Sequence, residues 1–539
     1  MTQGPRPARQ AAAKPSKRAR AAITARPHEA GAAKILTAKL HAAGDHVRLT
    51  HPEIRTIVIG IMLAMFLGAL DQTIVATALP TIGVHFGALD DLAWVVTAYL
   101  LTSTAVTPLY GKLSDIHGRR PIMLMAIAIF VIGSLACALS RSMTELVFSR
   151  ALQGLGGGGL MALSQTIIAD IVSPKERGRY QGYIGSVFAL SSVGGPVLGG
   201  FLTEHLDWSL IFWINLPLGL AALGMTSSAL RKVPFTPRKR SLDILGAVLM
   251  VIAAVALLLA LSWGGRRYDW ISVETGALVL VSAVFWGLFS WRLVIAKEPF
   301  LPLSVLANPV VRSASLAGAC CMGTLVGMTI FVPLYFETVL HLSASESGIA
   351  LIPQMASTVL MSIATGRAMV HMTHYKRVPL AGLTIGLLAM ASLAIWPDAM
   401  PLPLTLVVLA IIGGSFGSVF PVSTVCMQNA VARSHVGVAT GAANFFRALM
   451  SALVVAVLGA IVLGGLGGGT GMAVEMLARA ASGEVLAHAF RFVFIAAGLV
   501  MAFGMAFVIA MEEKPLKGPA ADSPQATAPQ GPATPIAAE

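Results

Sequence analysis

Charged residues are scarce in this chain: only 12% of its 539 residues are Asp, Glu, Lys or Arg, whereas 56% are hydrophobic. A soluble chain of this length would alternate polar and apolar faces. Here, uncharged apolar runs of about 18 residues or more recur along most of the sequence, and each predicts a transmembrane helix. The scarcity of charge therefore excludes a soluble multidomain protein and indicates an all-α, multi-pass membrane protein.

Cysteine is also rare, and its placement excludes two kinds of site. The four cysteines all fall in apolar stretches, at Cys137, Cys320, Cys321 and Cys426. This pattern indicates neither a disulfide framework nor a zinc site. His371 and His374 form only an isolated pair in a predicted loop. We therefore expect no bound metal.

Motifs for nucleotide hydrolysis and for hydrolytic chemistry are missing. No G-x-x-x-x-G-K-[ST] loop occurs, so ATP is not the indicated energy source, and neither H-E-x-x-H nor G-x-S-x-G is found. The glycine run from Gly154 to Gly159 continues an apolar helix and lacks a preceding strand, so it is not a nucleotide cradle. We expect neither enzymatic activity nor a cofactor.

Acidic residues are fewer than basic ones, 25 against 38, which leaves a net charge of +13. The excess lies in predicted tails and loops, where it orients the chain and attracts anionic membrane lipids. Nucleic acid, the alternative partner, is not expected. Residues 1–55 hold eleven basic and three acidic residues and no apolar core of signal-peptide length. They predict a disordered cytoplasmic tail, with an organellar transit peptide as the alternative.

Fourteen apolar segments predict fourteen membrane spans. Their limits are 57–79, 92–110, 121–139, 145–170, 180–202, 209–230, 243–263, 273–296, 313–338, 348–370, 378–396, 402–425, 437–463 and 489–511. Basic clusters lie on the side shared with the N-terminal tail, at Arg119–Arg120, Lys175–Arg179, Arg231–Arg240, Lys376–Arg377 and Arg433, and Arg266–Arg267 is the exception. Because Lys and Arg near helix ends resist translocation, we predict an inner or plasma membrane protein with both termini in the cytoplasm.

The segments divide as six, two and six. This division predicts a basic tail (1–55), a six-helix bundle (56–230), a linker with two additional helices (231–312), a second six-helix bundle (313–511) and a disordered tail (512–539). Two halves of equal span number suggest the parallel repeat of a transporter. The second half carries a weak echo, GRAMVHMTHYKRVP, of the loop GKLSDIHGRRP in the first.

That loop, from Gly111 to Pro121, resembles the loop signature of the major facilitator superfamily. The matching residues are Gly111, Asp115, Gly118, Arg119 and Arg120. Further motifs resemble the fourteen-span drug:proton antiporter branch, in the order LDQTIVATALP, WVVTAYLLTSTAVTPLYGKLSD, RALQGLGGGG, GGPVLGG, WINLPLG and GAANFFRALMSAL. The similarity runs unbroken over roughly residues 55 to 511. It implies a major-facilitator fold with two extra central helices, in a monomer that exports lipophilic or cationic drugs in exchange for protons.

Asp71 and Arg150 are the candidates for proton coupling. Asp71 lies within the first span and Arg150 within the fourth, at comparable depths from the same face. An ionisable side chain there costs about 3 kcal/mol by insertion scales, so pairing or protonation is expected. We predict that Asp71 carries the proton and that Arg150 modulates it, with a static ion pair as the alternative.

The resemblance also implies a cytoplasmic latch, formed by Gly111, Asp115, Gly118, Arg119 and Arg120. In this latch the Asp115 carboxylate would sit near the start of a helix in the other half. The positive end of a helix dipole favours an anion by up to about 1 kcal/mol. The alternative, a loop kept basic only for topology, explains the arginines but neither the aspartate nor the glycines.

A glycine-rich motif in the fifth predicted span is a further candidate. Gly195, Pro196, Gly199 and Gly200 belong to GGPVLGG, which resembles the antiporter helix motif. Ordinary close helix packing is the alternative for this motif.

The substrate-cavity candidates are Tyr99, Glu337, Asn444 and Arg447. For Asn444 and Arg447, contact with substrate and an interhelical hydrogen bond stay open. Glu337 would bind a cationic drug or a second proton, or would simply be solvated at its helix end.

Three functions follow as hypotheses. The first is drug/proton antiport by alternating access, and the second is export of an endogenous lipid, siderophore or metabolite by the same machinery. The third is a membrane-embedded lipid-binding or scaffold protein, against which the buried ionisable residues argue.

Overall fold

Helices account for nearly all of the residues that the structure, a computed structural model, describes: 51–88, 91–232, 241–265, 267–465 and 483–516. In chain order they are α1 (His51–Phe86), α2 (Leu92–His117), α3 (Arg119–Ala138), α4 (Met143–Ile171), α5 (Pro174–His205), α6 (Leu210–Trp213), α7 (Asn215–Ala229), α8 (Ile244–Trp263), α9 (Val273–Ile295), α10 (Leu303–Leu306), α11 (Pro309–Thr338), α12 (Ala344–Ala350), α13 (Ile352–Ala368), α14 (Arg377–Ile395), α15 (Leu402–Asn429), α16 (Val436–Gly465) and α17 (Gly483–Ala510). The predicted all-α fold is confirmed. The tail predicted over residues 1–55 lies outside the described residues up to Thr50.

Within the described residues, twelve segments are long and apolar enough to cross a membrane. They match twelve of the fourteen predicted spans, and α2 and α4 stand at the positions of the other two. Both of these long helices are rich in Thr, Ser and Gly, which lowers their hydropathy. Helices that face other helices rather than lipid can carry such small and polar residues. The chain is a multi-pass membrane protein, and the count of fourteen spans stays a prediction.

Local sequence signals explain where several helices begin. Ser142 accepts a hydrogen bond from the main-chain N–H of Glu145 at the start of α4. Asn308 caps α11 in the same way, with Pro309 in the first turn. Ser343 and Glu346 cap each other reciprocally at the start of α12. Each cap supplies an acceptor for N–H groups that have no partner inside the helix.

The helices on either side of the α8–α9 pair pack in the same pattern. In the first group, α1 packs against α4, α5 and α7, while α4 also packs against α2 and α3, and α3 against α7. In the second group, α11 packs against α15, α16 and α17, while α15 also packs against α13 and α14, and α14 against α17. Each of these contacts in one group thus has a counterpart in the other, as expected for a parallel repeat. The exact domain boundaries stay predictions.

The contacts between the two groups also come in equivalent pairs. The helix α2 packs against α16, and its counterpart α13 packs against α5. At both seams the backbones come unusually close. A Cβ atom on Gly111 would collide with the carbonyl oxygen of Gly437, and one on Gly366 would collide with that of Gly178. The two helix groups are therefore closed against each other where α2 and α13 end and where α5 and α16 begin.

The two additional helices, α8 and α9, break this symmetry. They pack against each other, and α8 contacts both α2 and α16. Arg292 on α9 is paired with Asp243 at the start of α8, with an Nε–Oδ1 distance of 3.1 Å. The pair therefore covers the α2–α16 seam, whereas the α5–α13 seam has no such cover among the described residues.

The structure extends five residues into the segment predicted to be disordered from residue 512. Glu513 accepts a hydrogen bond from the main-chain N–H of Lys376, and the hydroxyl of Tyr375 donates to the carbonyl oxygen of Lys514. Asn429 donates to the carbonyl oxygen of Pro515. These contacts fasten residues 512–516 to the ends of α14 and α15, so order continues beyond the predicted boundary.

Candidate functional site: a buried ion pair and an interhelical latch

The two ionisable residues predicted to meet inside the first six-helix group are in direct contact. Nη1 of Arg150 on α4 donates to Oδ2 of Asp71 on α1 at 2.7 Å, and both side chains are almost fully buried, 2% and 0% exposed. Nε of Arg150 donates to the carbonyl oxygen of Val95 on α2 at 3.1 Å. The pair thus ties together three helices of one group, and the predicted meeting of the two residues is what the structure shows.

Neutral polar side chains complete the surroundings of Asp71, and the sequence did not single them out. Gln153 and Asn215 both donate to Oδ1 of Asp71, at 2.7 and 2.9 Å. The same two amides donate to the hydroxyl of Ser134 on α3, at 2.6 and 3.1 Å. Gln153 lies three residues after Arg150, on the same helix face. That spacing was the one local signal that could have revealed it.

Aromatic rings cover the cationic side of the pair. The ring of Tyr99 lies 4.4 Å from the guanidinium carbon of Arg150, and that of Phe212 lies 5.8 Å away. A cation over an aromatic face is stabilised most where water is excluded. Tyr99 is 1% exposed. The residue predicted to line the substrate cavity therefore covers the ion pair in this conformation.

The contacts of Asp71 depend on its charge. When ionised, the carboxylate is compensated by one guanidinium and two amide donors, which offsets the cost of burying its charge. When protonated, it no longer attracts Arg150, and the guanidinium is left with neutral partners. Loss of the charge on Asp71 would therefore weaken the contact between α1 and α4, and a role of this contact in proton coupling stays a prediction.

A second charged cluster joins the two helix groups where α2 ends. Oδ2 of Asp115 accepts a hydrogen bond of 3.0 Å from the main-chain N–H of Val438, in the first turn of α16. Oδ1 of Asp115 pairs with Arg119 at 2.6 Å. The predicted placement of this carboxylate near the start of a helix in the other half agrees with the structure. Its action as a latch stays a proposal.

Arg119 has a second acidic partner that sequence reasoning missed. Its Nε lies 2.6 Å from Oδ2 of Asp170, near the end of α4, and its Nη1 donates to the hydroxyl of Ser114. Arg120 points elsewhere and donates to the carbonyl oxygen and the hydroxyl of Ser227 on α7, both at 3.1 Å. Arg119 therefore connects α2, α3 and α4, while Arg120 connects α3 to α7.

Gly118 separates α2 from α3 in a conformation that favours glycine. Its φ angle is +98°, where a side chain would be strained. Its N–H donates to the carbonyl oxygen of Ser114 at 3.1 Å and ends α2. The turn brings Arg119 back over Asp115, so the predicted importance of this glycine has a geometric reason.

The GGPVLGG stretch is only partly engaged in close packing. Cβ atoms on Gly195 and Gly199 would collide with the side chains of Thr73 and Thr77 on α1, whereas one on Gly200 would meet nothing within 4 Å. Pro196 is exposed. Close approach of α5 to α1 thus explains two of the four predicted residues. The role of the motif in antiport stays a prediction.

The remaining cavity candidates lie apart from the ion pair. Asn444 donates to Oε1 of Gln165 on α4 at 3.1 Å, which is a contact between the two helix groups. Arg447 donates to Asn444, Ser423 and Thr424. Glu337 is half-buried in the last turn of α11. Substrate contact by Asn444, Arg447 and Glu337 stays a prediction.

No group of three or more His, Cys, Asp or Glu residues that could hold a metal ion occurs among the described residues. The four cysteines are buried and unpaired. The clusters around Asp71 and Asp115 consist of acid–base pairs and amides. This donor set suits proton exchange and helix contacts.

Comparison with known proteins identifies the family to which this chain belongs. The family model of the Major Facilitator Superfamily matches residues 61–455. The multidrug transporter protein MdtP of Bacillus subtilis is 36% identical over 76% of this chain and 75% of its own length. Multidrug resistance protein 3 of the same organism is 32% identical over 75% of this chain and 79% of its own.

A crystal structure of the human organic anion transporter MFSD10 has the same fold. It superposes with a TM-score of 0.59 over 85% of this chain and 100% of its own, at 18% sequence identity. At that identity the likeness concerns the fold alone. The matched family model, the two relatives and the paired helix groups lead to one conclusion: the chain belongs to the major facilitator superfamily, as its loop motif predicted.

Proposed function

We propose that this protein is a proton-coupled exporter of lipophilic or cationic compounds that works by alternating access. The observation that carries the proposal is the buried Asp71–Arg150 pair with its amide donors. A protein that only binds lipid gains nothing from an acid and a base in its core, because burying them costs free energy. The relatives named as multidrug transporters support drugs as the cargo.

One helix connects the proton site to the contact between the halves. Arg150, Gln165 and Asp170 all lie on α4. Arg150 holds Asp71, Gln165 contacts Asn444 on α16, and Asp170 holds the Arg119 of the latch. The twenty residues from Arg150 to Asp170 span about 30 Å of helix. Protonation of Asp71 would free α4 from α1 and so alter both the contact of Gln165 with the other half and the hold of Asp170 on Arg119.

The close backbone contacts at the ends of α2 and α13 correspond, in this proposal, to a closed cytoplasmic side. That orientation follows from the basic residues beside these ends. Both termini are then cytoplasmic, in an inner or plasma membrane. The protein acts as a monomer among membrane lipids, needs no cofactor and is driven by the proton gradient. One charge that crosses about 100 mV yields about 2.3 kcal/mol, enough for a gradient of about 50-fold in a neutral substrate.

Transport into sealed proteoliposomes tests the proposal. The purified full-length chain is reconstituted, and a pH gradient is imposed across the membrane. Uptake of ethidium, which is a cation, and of pyrenebutyrate, which is an acid, into the liposomes by molecules in the inverted orientation is followed together with the internal pH. We expect uptake to require the pH gradient, and we expect uptake of each transported compound to be accompanied by the release of protons from the liposomes. Asp71→Asn should abolish gradient-driven transport, because the amide cannot carry a proton.

Asp398→Asn is the matched control, since Asp398 is an exposed acid in the loop between α14 and α15. It should transport as the unchanged protein does. Full gradient-driven transport by Asp71→Asn would overturn the proposed coupling. A chain that moves no compound and dissipates no gradient would instead support a lipid-binding or scaffold protein.

An exporter of an endogenous lipid, siderophore or metabolite is the second candidate. It uses the same machinery, and the same Asp71 cluster supports it. A panel that includes dyes, phospholipid analogues and iron chelates separates the two. Drug efflux predicts broad stimulation of proton release by dyes, and endogenous export predicts a response confined to one other class.

A further inference from the structure

Arg447 on α16 is a cation whose partners are all neutral. Its Nη1 donates to the side-chain oxygen of Asn444 at 3.2 Å, and its Nη2 donates to the hydroxyls of Ser423 and Thr424 at 3.2 and 2.9 Å. Its Nε is buried and has no hydrogen-bond partner. The guanidinium thus has an unused donor and an uncompensated positive charge.

The acidic residues that the structure describes in the second helix group lie away from Arg447 along the helices. They stand at helix ends or in connecting segments, at Glu337, Glu346, Asp398, Glu512 and Glu513. No ion pair involves Arg447 among the described residues, where six other pairs occur. Gly318 lies beside the guanidinium, and Glu337 on the same helix is nineteen residues, about 28 Å, further along.

Arg150 in the first helix group shows what a compensated arginine looks like in this protein. It is 1% exposed, paired with Asp71, and each nitrogen described above has a partner. Arg447 is also well inside its helix, eleven residues after the start of α16, yet no acid among the described residues pairs with it. Because an unpaired charge at membrane depth is costly, such a residue is expected to serve a ligand or an ion.

The guanidinium of Arg447 is packed tightly on one edge and accessible elsewhere. A Cβ atom on Gly318 of α11 would lie 3.1 Å from both Nε and Nη2, closer than an ordinary van der Waals contact, so the absence of a side chain lets Arg447 lie against α11. The side chain of Arg447 as a whole is only partly buried, so part of it is accessible. An acidic group that reaches this part would meet a positive charge that no acid of the described helices compensates.

We propose that Arg447 binds the acidic group of the substrate, which is therefore a lipophilic organic acid. This inference rests on the proposed transport function and narrows its cargo, since a cation would be repelled at this position. It also links cargo to conformation. Arg447 holds Asn444, and Asn444 donates to Gln165 of the other helix group. A bound acid that draws the guanidinium away from Asn444 would weaken that contact between the halves.

Equilibrium binding to the purified full-length protein in detergent tests the inference. Pyrenebutyrate, pyrenebutanol and pyrenebutylamine share one fluorescent apolar body and differ in charge, and their fluorescence anisotropy reports binding. We expect the carboxylate to bind at least tenfold more tightly than the amine at pH 7. Arg447→Gln should weaken carboxylate binding at least tenfold and leave the neutral alcohol unchanged. Arg447→Lys should retain part of the carboxylate preference.

Arg491→Gln is the matched control, because Arg491 is an exposed arginine of α17 in the same helix group. It should bind all three probes as the unchanged protein does. Equal or tighter binding of the amine would overturn the inference. So would an equal loss of all three probes in Arg447→Gln, which would indicate a structural arginine. Displacement of pyrenebutyrate by chloride or inorganic phosphate at millimolar concentration would assign the site to an inorganic ion and overturn it as well.

Failure of this inference can be told apart from failure of the proposed function. Loss of carboxylate preference, with dye transport that still requires Asp71 and a pH gradient, would refute only the acidic substrate. Carboxylate binding that depends on Arg447, in a chain that moves no dye or acid with a pH gradient, would refute only proton-driven transport.

Discussion

The carboxylate of Asp115 and the main-chain N–H of Val438 belong to different helix groups and lie 3.0 Å apart. The same carboxylate is held by Arg119, which in turn is held by Asp170 on α4. This short chain of contacts joins α2, α3, α4 and α16 at one closed end of the protein. Several expected outcomes depend on it.

Replacement of Asp115 should open the closed end. Asp115→Ala removes both the hydrogen bond to Val438 and the pair with Arg119, and Asp115→Asn removes only the charge. A helix N-terminus favours an anion by up to about 1 kcal/mol. The fraction of molecules that are closed at this end should therefore fall several-fold in Asp115→Ala and by less in Asp115→Asn. Spin labels at His117→Cys and Ala432→Cys, two exposed sites beside the seam, report the distance between the ends of α2 and α16. Glu204→Gln, an exposed acid, should leave the distance distribution unchanged, and an unaltered distribution in Asp115→Ala would contradict a latch.

Removal of Arg119 should be most harmful at neutral and alkaline pH. Arg119→Gln leaves Asp115 and Asp170 without their shared cation, and two nearby carboxylates repel each other. Burial raises the pKa of the Asp115 carboxyl, so it takes up a proton as the pH falls, the repulsion disappears, and the loss of thermal stability should shrink. The charge-balanced double variant Arg119→Gln/Asp170→Asn should recover part of the lost Tm at pH 7.5. Equal deficits at pH 5.5 and 7.5, with no recovery in the double variant, would speak against this network.

An added methyl group should separate the halves at the second seam. A Cβ atom on Gly366 would collide with the carbonyl oxygen of Gly178, and backbone cannot move aside as a side chain can. Gly366→Ala should therefore slow gradient-driven transport and lower the Tm, because overpacking costs about 1–3 kcal/mol. Gly194→Ala is the matched control, since a Cβ atom there would meet nothing within 4 Å. Equal behaviour of the two variants would show that the seam is not tight.

Two glycines of the GGPVLGG motif should respond differently to alanine. Gly195→Ala places its Cβ atom against Thr73, whose hydroxyl donates to the carbonyl oxygen of Ser191 at 2.8 Å. It should push α5 from α1 and reduce the Tm of the detergent-purified protein. Gly200→Ala should have little effect, because its surroundings are open. A loss of antiport in Gly200→Ala with an unchanged Tm would assign that glycine a role beyond packing.

The amide of Asn215 should stabilise the cluster around Asp71. Asn215→Leu keeps the branched shape of the side chain but removes a 2.9 Å donor to Asp71. Loss of a hydrogen bond to a charged group costs about 1.5–3 kcal/mol, so the Tm of the detergent-purified protein should fall. An unchanged Tm would mean that Gln153 and Arg150 alone hold Asp71 in place.

Local sequence was sufficient to predict the helices, the family and the positions of the main charged residues. Hydrophobic runs specify membrane helices because the bilayer leaves the backbone no other hydrogen-bond partners. The similar depths of Asp71 and Arg150, and the motif that contains Asp115, then indicated two charged contacts before any coordinates.

Only the tertiary structure decided which neutral and charged neighbours complete those contacts. Asn215 meets Asp71 across 144 residues of chain, and Asp170 meets Arg119 across 51. The neutral partners of Arg447 and the seating of α8 over the α2–α16 seam also depend on how helices pack. Hydropathy along a chain governs where a helix lies in the membrane. The partners of a buried polar group are set by the rotation and crossing of helices, which no local pattern specifies.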